Sequence, residues 1–143
     1  MPLDPPPLNA AGEVEPHDHV GILNQHGVIR RISAQHLVDD EKVAGKRVST
    51  LAFSPSSGVN GGMSVDLENS IIEAGLNPQA YVVSPPFLGA VRFTAGSLRA
   101  QEFSVGYDPM PDNPHHGEVW GNFTRSKKKW LQETAEMYVQ PKV

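Results

Sequence analysis

The sequence predicts an α+β domain built on a mainly antiparallel sheet of about five or six short strands, with about three helices packed on it. Three observations point there. Several short runs alternate apolar and polar side chains, the period-two pattern of a half-buried strand. Proline, glycine and asparagine clusters separate these runs, and such clusters reverse the chain rather than carry it across a sheet. Only three stretches show a helical stripe, with no strand–helix–strand alternation and no internal repeat, so a parallel sheet is disfavoured. A chain of 143 residues suits one domain.

In chain order, residues 1–16 carry Pro2, Pro5, Pro6, Pro7 and Pro16 and few large apolar side chains. They read as a flexible proline-rich N-terminal arm, with residues 17–143 forming the single α+β domain. DHVGILNQHGVIRRI (18–32) reads as a hairpin turning at Asn24–Gly27. Ser33 can cap a short helix over AQHLVDDEKV. RVSTLAFS (47–54) alternates as a strand and runs into the glycine-rich PSSGVNGG. MSVD is the next strand, and Asp66 can cap LENSIIEAG, which Gly75 and Asn77-Pro78 stop. AYVV (80–83) reads as a strand and PPFLGAVRFT is ambiguous. AQEFSVGY (100–107) and GEVWGNF (117–123) read as strands around the loop DPMPDNP. Thr124 caps a final helix, RSKKKWLQETAEMYV, whose stripe includes Trp130, Leu131 and Tyr138. Lys127–Lys129 stand in its first turns, where the helix dipole disfavours cations; an anion nearby or plain solvation accounts for them.

Composition excludes several classes. No cysteine is present, so disulfides, thiolate nucleophiles and zinc–sulfur sites are out. A net charge of −4 argues against a nucleic-acid binder. The N-terminus lacks the basic and apolar segments of a signal peptide, and no apolar run is long enough to span a membrane. A cytoplasmic protein is the expectation.

The stretch NPHHGEVWG (113–121) concentrates the chemistry. On a strand, His116, Glu118 and Trp120 share one face, with neighbours about 7 Å apart along it. That suits two metal ligands, or a carboxylate orienting an imidazole. His17 and His19 again share a face if extended, so a metal set of His17, His19, His116 and Glu118 is chemically reasonable. A turn running into a strand is the simpler alternative. Arg30 and Arg31 sit in an apolar strand; one of them must approach the interior, where a guanidinium needs an anionic partner or ligand. SPSSGVNGG lacks the lysine and following helix of a phosphate loop. Ser64 and Ser104 have no nucleophile elbow around them.

RRIS, STLAFS, GGMSVD and NPHHGEVWG, followed by a closing helix, resemble a group of small bacterial proteins over roughly residues 28–138. That resemblance implies a bacterial or phage origin and brings no activity with it. Arg30 or Arg31, then Ser49-Thr50, then Glu102 follow the order of the arginine, Ser-Thr-Ser motif and glutamate in one clade of ADP-ribosyltransferases. The resemblance implies that the arginine grips NAD phosphates, Ser49 orders the pocket and Glu102 holds a ribose hydroxyl. The chain departs from that pattern at Leu51, and at Gln101, which directly precedes Glu102.

The leading expectation is a binding module for a partner protein or a small anionic ligand, with Arg31, His116, Glu118 and Trp120 as its candidate contacts. An NAD-dependent ADP-ribosyltransferase-like enzyme and a metal-dependent hydrolase are the alternatives.

Overall fold

A computed structural model describes residues 2–40, 42, 45–56 and 61–141. The backbone of the domain is a six-strand sheet with every neighbouring pair antiparallel, as the alternating runs require. Its strands are β1 (Gly27–Ser33), β4 (Met63–Leu67), β5 (Phe87–Thr94), β6 (Ser104–Tyr107), β7 (His116–Trp120) and β8 (Glu136–Val139), in the order β6-β7-β4-β1-β5-β8. A separate two-strand ribbon pairs β2 (Leu37–Asp39) with β3 (Lys46–Val48). Among the described residues four α-helices complete it: α1 (Glu68–Glu73), α2 (Pro78–Tyr81), α3 (Ala95–Ala100) and α4 (Arg125–Thr134). The expected α+β class with a mainly antiparallel sheet is therefore what the chain forms. Among the described residues no helix is long and apolar enough to cross a membrane.

Alternation divides the side chains of the sheet between two faces. Val28, Ile32, Val65, Leu67, Val91, Phe93, Val105 and Val119 form the main core, closed by Phe53, Leu98 and Leu131. The opposite face carries a smaller apolar cluster of Ile29, Ile71, Val82 and Ala90. Each such side chain contributes about 1.5–3 kcal/mol on burial. Beside the smaller cluster that face turns polar, and there the charged groups collect.

Several elements differ from the sequence reading. The hairpin over 18–32 does not form: residues 20–26 are turns, and β1 instead pairs with β4 and β5. Ser33 does start a helical turn, but only the 3₁₀ segment Ala34–His36 before the chain extends into β2. RVSTLAFS keeps its strand only to Val48, because Ser49 caps a 3₁₀ turn at Thr50–Ala52. AYVV is not a strand: Asn77 accepts a hydrogen bond from Ala80 N and Pro78 stands at the first helical position, which starts α2. The ambiguous FLGAVRFT is β5, eight residues long. Of AQEFSVGY only Ser104–Tyr107 is strand; Ala100 ends α3. The final helix stops at Thr134, and Tyr138 lies in the edge strand β8 against β5. The centre of the glycine-rich loop, residues 57–60, lies outside the described residues.

Residues 2–16 add no strand to the large sheet, yet they touch the domain. Leu3 packs on the main core, and His19 Nε2 donates to Asp4 O at 2.9 Å.

Candidate functional site

The polar end of the second face is built by β1, β4 and β7 with the loops after α2 and β6. Antiparallel register sets Ser64 opposite Glu118 and Asp66 opposite His116, so these four side chains share a face. Ile29 pairs with Asp66, which puts Arg31, two residues along, on that face as well.

Arg31 meets Asp66 through a two-pronged ion pair, Nε to Oδ2 at 2.7 Å and Nη2 to Oδ1 at 3.1 Å. The Arg31 side chain keeps 21% of its exposure and that of Asp66 only 4%. Asp66 was expected to cap α1; the capping position falls on Leu67 instead, and the Asp66 carboxylate is spent on Arg31. Asn113 Nδ2 also donates to Asp66 Oδ1 at 2.8 Å, and Tyr81 OH donates to Asn113 Oδ1 at 2.6 Å. The guanidinium lies between two rings, 5.7 Å from the centroid of Tyr81 and 5.8 Å from that of Phe87. A planar cation held on one edge by a carboxylate and flanked by two aromatic rings is strongly positioned. Burial is the largest influence on the Tyr81 phenol, whose pKa is raised with help from the Asp66 charge, so the hydroxyl stays a donor.

These groups line a cleft of about 440 Å³ together with Arg30, Ser64, Met110, Asp112 and His116. Arg30 plays a different part from Arg31. Its Nε donates to Ala52 O and its Nη1 to Ser64 O, both at 2.9 Å, tying the 3₁₀ turn to β4. Burial lowers its pKa, opposed by the charges of Glu118 and Asp66. The sequence expectation that a buried arginine needs carboxylates or ligand is met at Arg31 by Asp66 and at Arg30 largely by main-chain oxygens.

His116 and Glu118 do neighbour each other, with Nε2 to Oε1 at 4.0 Å. Asp112-Asn113-Pro114 turns the chain ahead of them, as the residues imply. His116 Nδ1 donates to Asp108 O at 2.8 Å and lies 3.2 Å from Asp108 Oδ2. Glu118 is 1% exposed and lies behind the cleft rather than on its wall. Trp120 continues the face but is buried, with the His17 ring 5.2 Å away. His115 points elsewhere, bonding Ser70 Oγ at 2.7 Å; burial lowers its pKa, and the Asp66 charge opposes that.

The residues proposed as further metal ligands are committed to the main chain. His17 Nδ1 donates to Glu15 O while Nε2 accepts from Tyr107 N, and His19 Nε2 donates to Asp4 O while Nδ1 accepts from Gly21 N. Both nitrogens of each ring are used, so neither ring has a lone pair to offer a metal. The group that does converge is Asp108, His116 and Glu118, with one ligand atom from each within 4.8 Å of the others. Sequence reasoning missed Asp108 because DPMPDNP reads as a plain turn.

The ADP-ribosyltransferase-like set is not brought together. Ser49 caps its turn, accepting from Leu51 N, and lines a separate basic groove with Thr50, Arg47, Arg125, Lys128 and Lys129. Glu102 is exposed on the turn after α3, at φ 66°, and does not line the Arg31 cleft. Lys127 does not join the groove; it lies over the Phe103 ring at 5.3 Å. Comparison with family models, curated proteins and solved structures finds no match, so what this cleft can do has to be argued from its own geometry.

Proposed function

We propose that this protein is a binding module whose cleft between β1, β4 and the loop 108–115 takes a small anionic ligand against Arg31. The observation that carries the reading is the state of that guanidinium. Asp66 fixes its Nε and one Nη nitrogen, Tyr81 and Phe87 flank it, and it faces a cleft of about 440 Å³. The volume suits a small molecule rather than a polymer. Nη1 carries no hydrogen bond to any described residue, which leaves two N–H donors for a carboxylate or phosphate oxygen. Ser64, Ser84 and Tyr81 add hydroxyl groups to the wall, and Phe87 and Met110 supply apolar surface for the rest of the ligand.

The test is calorimetric titration with three probe anions: inorganic phosphate, succinate and NAD. Binding of at least one should weaken about tenfold or more in Arg31→Lys, which keeps the charge but loses the planar fork. Arg125→Gln, in the separate basic groove, should leave it unchanged. Binding that survives Arg31→Lys, or that disappears in Arg125→Gln, would contradict the proposal. So would failure of all three probes to bind at millimolar concentration. Nicotinamide release during the NAD titration would favour the enzyme reading instead.

A further inference from the structure

Cations collect at a place that the proposed function does not use. The basic groove beside α4 encloses about 460 Å³ and is walled by Arg47, Ser49, Thr50, Arg125, Lys128 and Lys129. We propose that this groove is a second binding site, for a small ligand carrying a chain of linked phosphates, triphosphate or longer. It is separate from the Arg31 cleft and does not rest on it.

Helical spacing builds one wall. Arg125, Lys128, Lys129 and Gln132 follow at i, i+3, i+4 and i+7 on α4, so they share one face. At about 1.5 Å per residue that stripe runs roughly 10 Å. β3 and the 3₁₀ turn after it build the other wall, with Arg47 and the hydroxyl groups of Ser49 and Thr50. Both walls are anchored. Gln132 Nε2 donates to Val48 O at 2.9 Å, Leu131 is buried in the main core, and Arg30 holds the 3₁₀ turn through Ala52 O. The cations therefore stand around one trough without rearrangement of the chain.

Their charges are not balanced from within. Among the described residues Arg47, Arg125 and Lys128 have no ion pair and no side-chain hydrogen bond. Lys129 meets Glu133 only at 3.7 Å, with both side chains mostly exposed. Asp39, the carboxylate on the wall, is engaged by Lys46 at 2.9 Å. The first turn of α4 holds no acid, so its cations stand against the helix dipole. An anion in the trough relieves both the mutual repulsion and the opposed dipole. The overall charge of −4 conceals this local concentration.

Spacing selects the ligand. An exposed cation holds a single anion weakly, because water screens the pair. Phosphate or a dicarboxylate reaches one or two of these cations and gains little. A phosphate chain lies along the stripe and meets both walls at once, and guanidinium forks match its oxygens. Ser49 Oγ accepts from Leu51 N, so its O–H is left to donate. Among the described residues no aromatic ring lines the trough, so the bases of a nucleic-acid strand have no stacking platform there. Beyond Arg47 and Gln132 lies an apolar hollow of about 400 Å³, which shares those two residues with the trough and adds Val48, Ala135 and Met137. The phosphate chain is therefore either inorganic or the end of a nucleotide whose nucleoside rests in that hollow.

The experiment is calorimetric titration of the full chain, at low salt and without magnesium, with inorganic triphosphate, ATP and orthophosphate. The expected result is one triphosphate per chain with Kd below about 1 mM, and orthophosphate at least about tenfold weaker. Arg47→Gln with Arg125→Gln, both at exposed positions, should weaken triphosphate binding about tenfold or more while circular dichroism shows the fold unchanged. Arg31→Lys should leave it unaltered. ATP binding tighter than triphosphate places the nucleoside in the hollow, and equal affinities assign the trough to the chain alone; either ranking supports the site. Triphosphate binding that persists in the double variant, that is lost in Arg31→Lys, or that is no tighter than orthophosphate would overturn the proposal. So would failure of both triphosphate and ATP to bind below about 1 mM, including the case in which a short DNA duplex binds instead. Failure of the Arg31 probes with triphosphate binding intact would remove the proposed function and leave this inference standing.

Discussion

Replacing Asp66 by asparagine removes one charge and leaves the shape of the site unchanged. Asp66 accepts from Arg31 Nε, Arg31 Nη2 and Asn113 Nδ2 at 2.7, 3.1 and 2.8 Å, and it is 3% exposed. An amide keeps one of the two oxygens and turns an NH₂ toward donors. The half-buried guanidinium then faces no carboxylate in its place. Breaking a buried pair from one side costs about 3–5 kcal/mol. The residual exposure of Arg31 puts the expected loss at the lower end, about 3 kcal/mol. Removing both partners together is different: Arg31→Met with Asp66→Leu leaves no stranded charge, so the double variant should be less destabilised than the sum of the singles by at least about 1–2 kcal/mol. Urea unfolding followed by far-ultraviolet circular dichroism reads the wild type, Asp66→Asn, the singles Arg31→Met and Asp66→Leu and their double, with equal m-values as the check on two-state behaviour. A loss below about 1 kcal/mol for Asp66→Asn, or additive singles, would refute the claim that this ion pair sets the wall of the cleft.

Other outcomes follow from the same structure. Trp130, half-buried and stacked on Phe93 at a 6.3 Å centroid distance, should cost about 3 kcal/mol on truncation to alanine, read in the same urea assay. Gly106→Ala should destabilise by about 1–3 kcal/mol or more, because the new methyl meets the Trp120 ring and lies 2.8 Å from His17 O; an unchanged melt would contradict that packing. Acid should weaken the fold in two stages. Burial chiefly holds His36 and His115 below the usual imidazole value, with the Arg30 charge adding to the effect at His36. Folding favours their neutral forms, so their contribution is full above about pH 6.5 and is lost as pH falls through the lowered values. Burial alone would raise the Glu68 carboxyl, but its bonds to Arg92 and Tyr138 outweigh this and hold it below its usual value, so a second loss follows below about pH 4.5. A melting temperature that stays flat from pH 7 to about pH 5 would contradict the first stage.

The elements most legible in the sequence were those whose signals are local. β4 and β7 show period two, Thr124 caps α4 by accepting from Lys127 N, and Gly75 ends the α1 turn at φ 79°. The elements misread were decided by neighbours far along the chain. EMYV carries on the helical stripe of α4, yet pairing with β5 draws it into an edge strand. Residues 20–26 hold apolar side chains suited to a strand, but β1 finds its partners in β4 and β5, leaving that segment to turns. The site divides in the same way. His116 and Glu118 are two residues apart and therefore predictable neighbours. Arg31 and Asp66 lie 35 residues apart and meet only through strand register. His17 and His19 carry a ligand-like spacing, while the atoms that occupy their nitrogens are main-chain atoms, which no side-chain pattern records.

The central claim is that the Arg31 cleft, and no other surface, receives the ligand. Amide chemical-shift mapping of the labelled chain, titrated with the probe anion that binds best, tests it directly. The account predicts perturbations concentrated at Arg31, at Ser64–Asp66, at Tyr81–Phe87 and across the loop from Asp108 to His116. Shifts concentrated instead at Arg47–Thr50 and Arg125–Gln132 would place the anion in the basic groove and contradict the account.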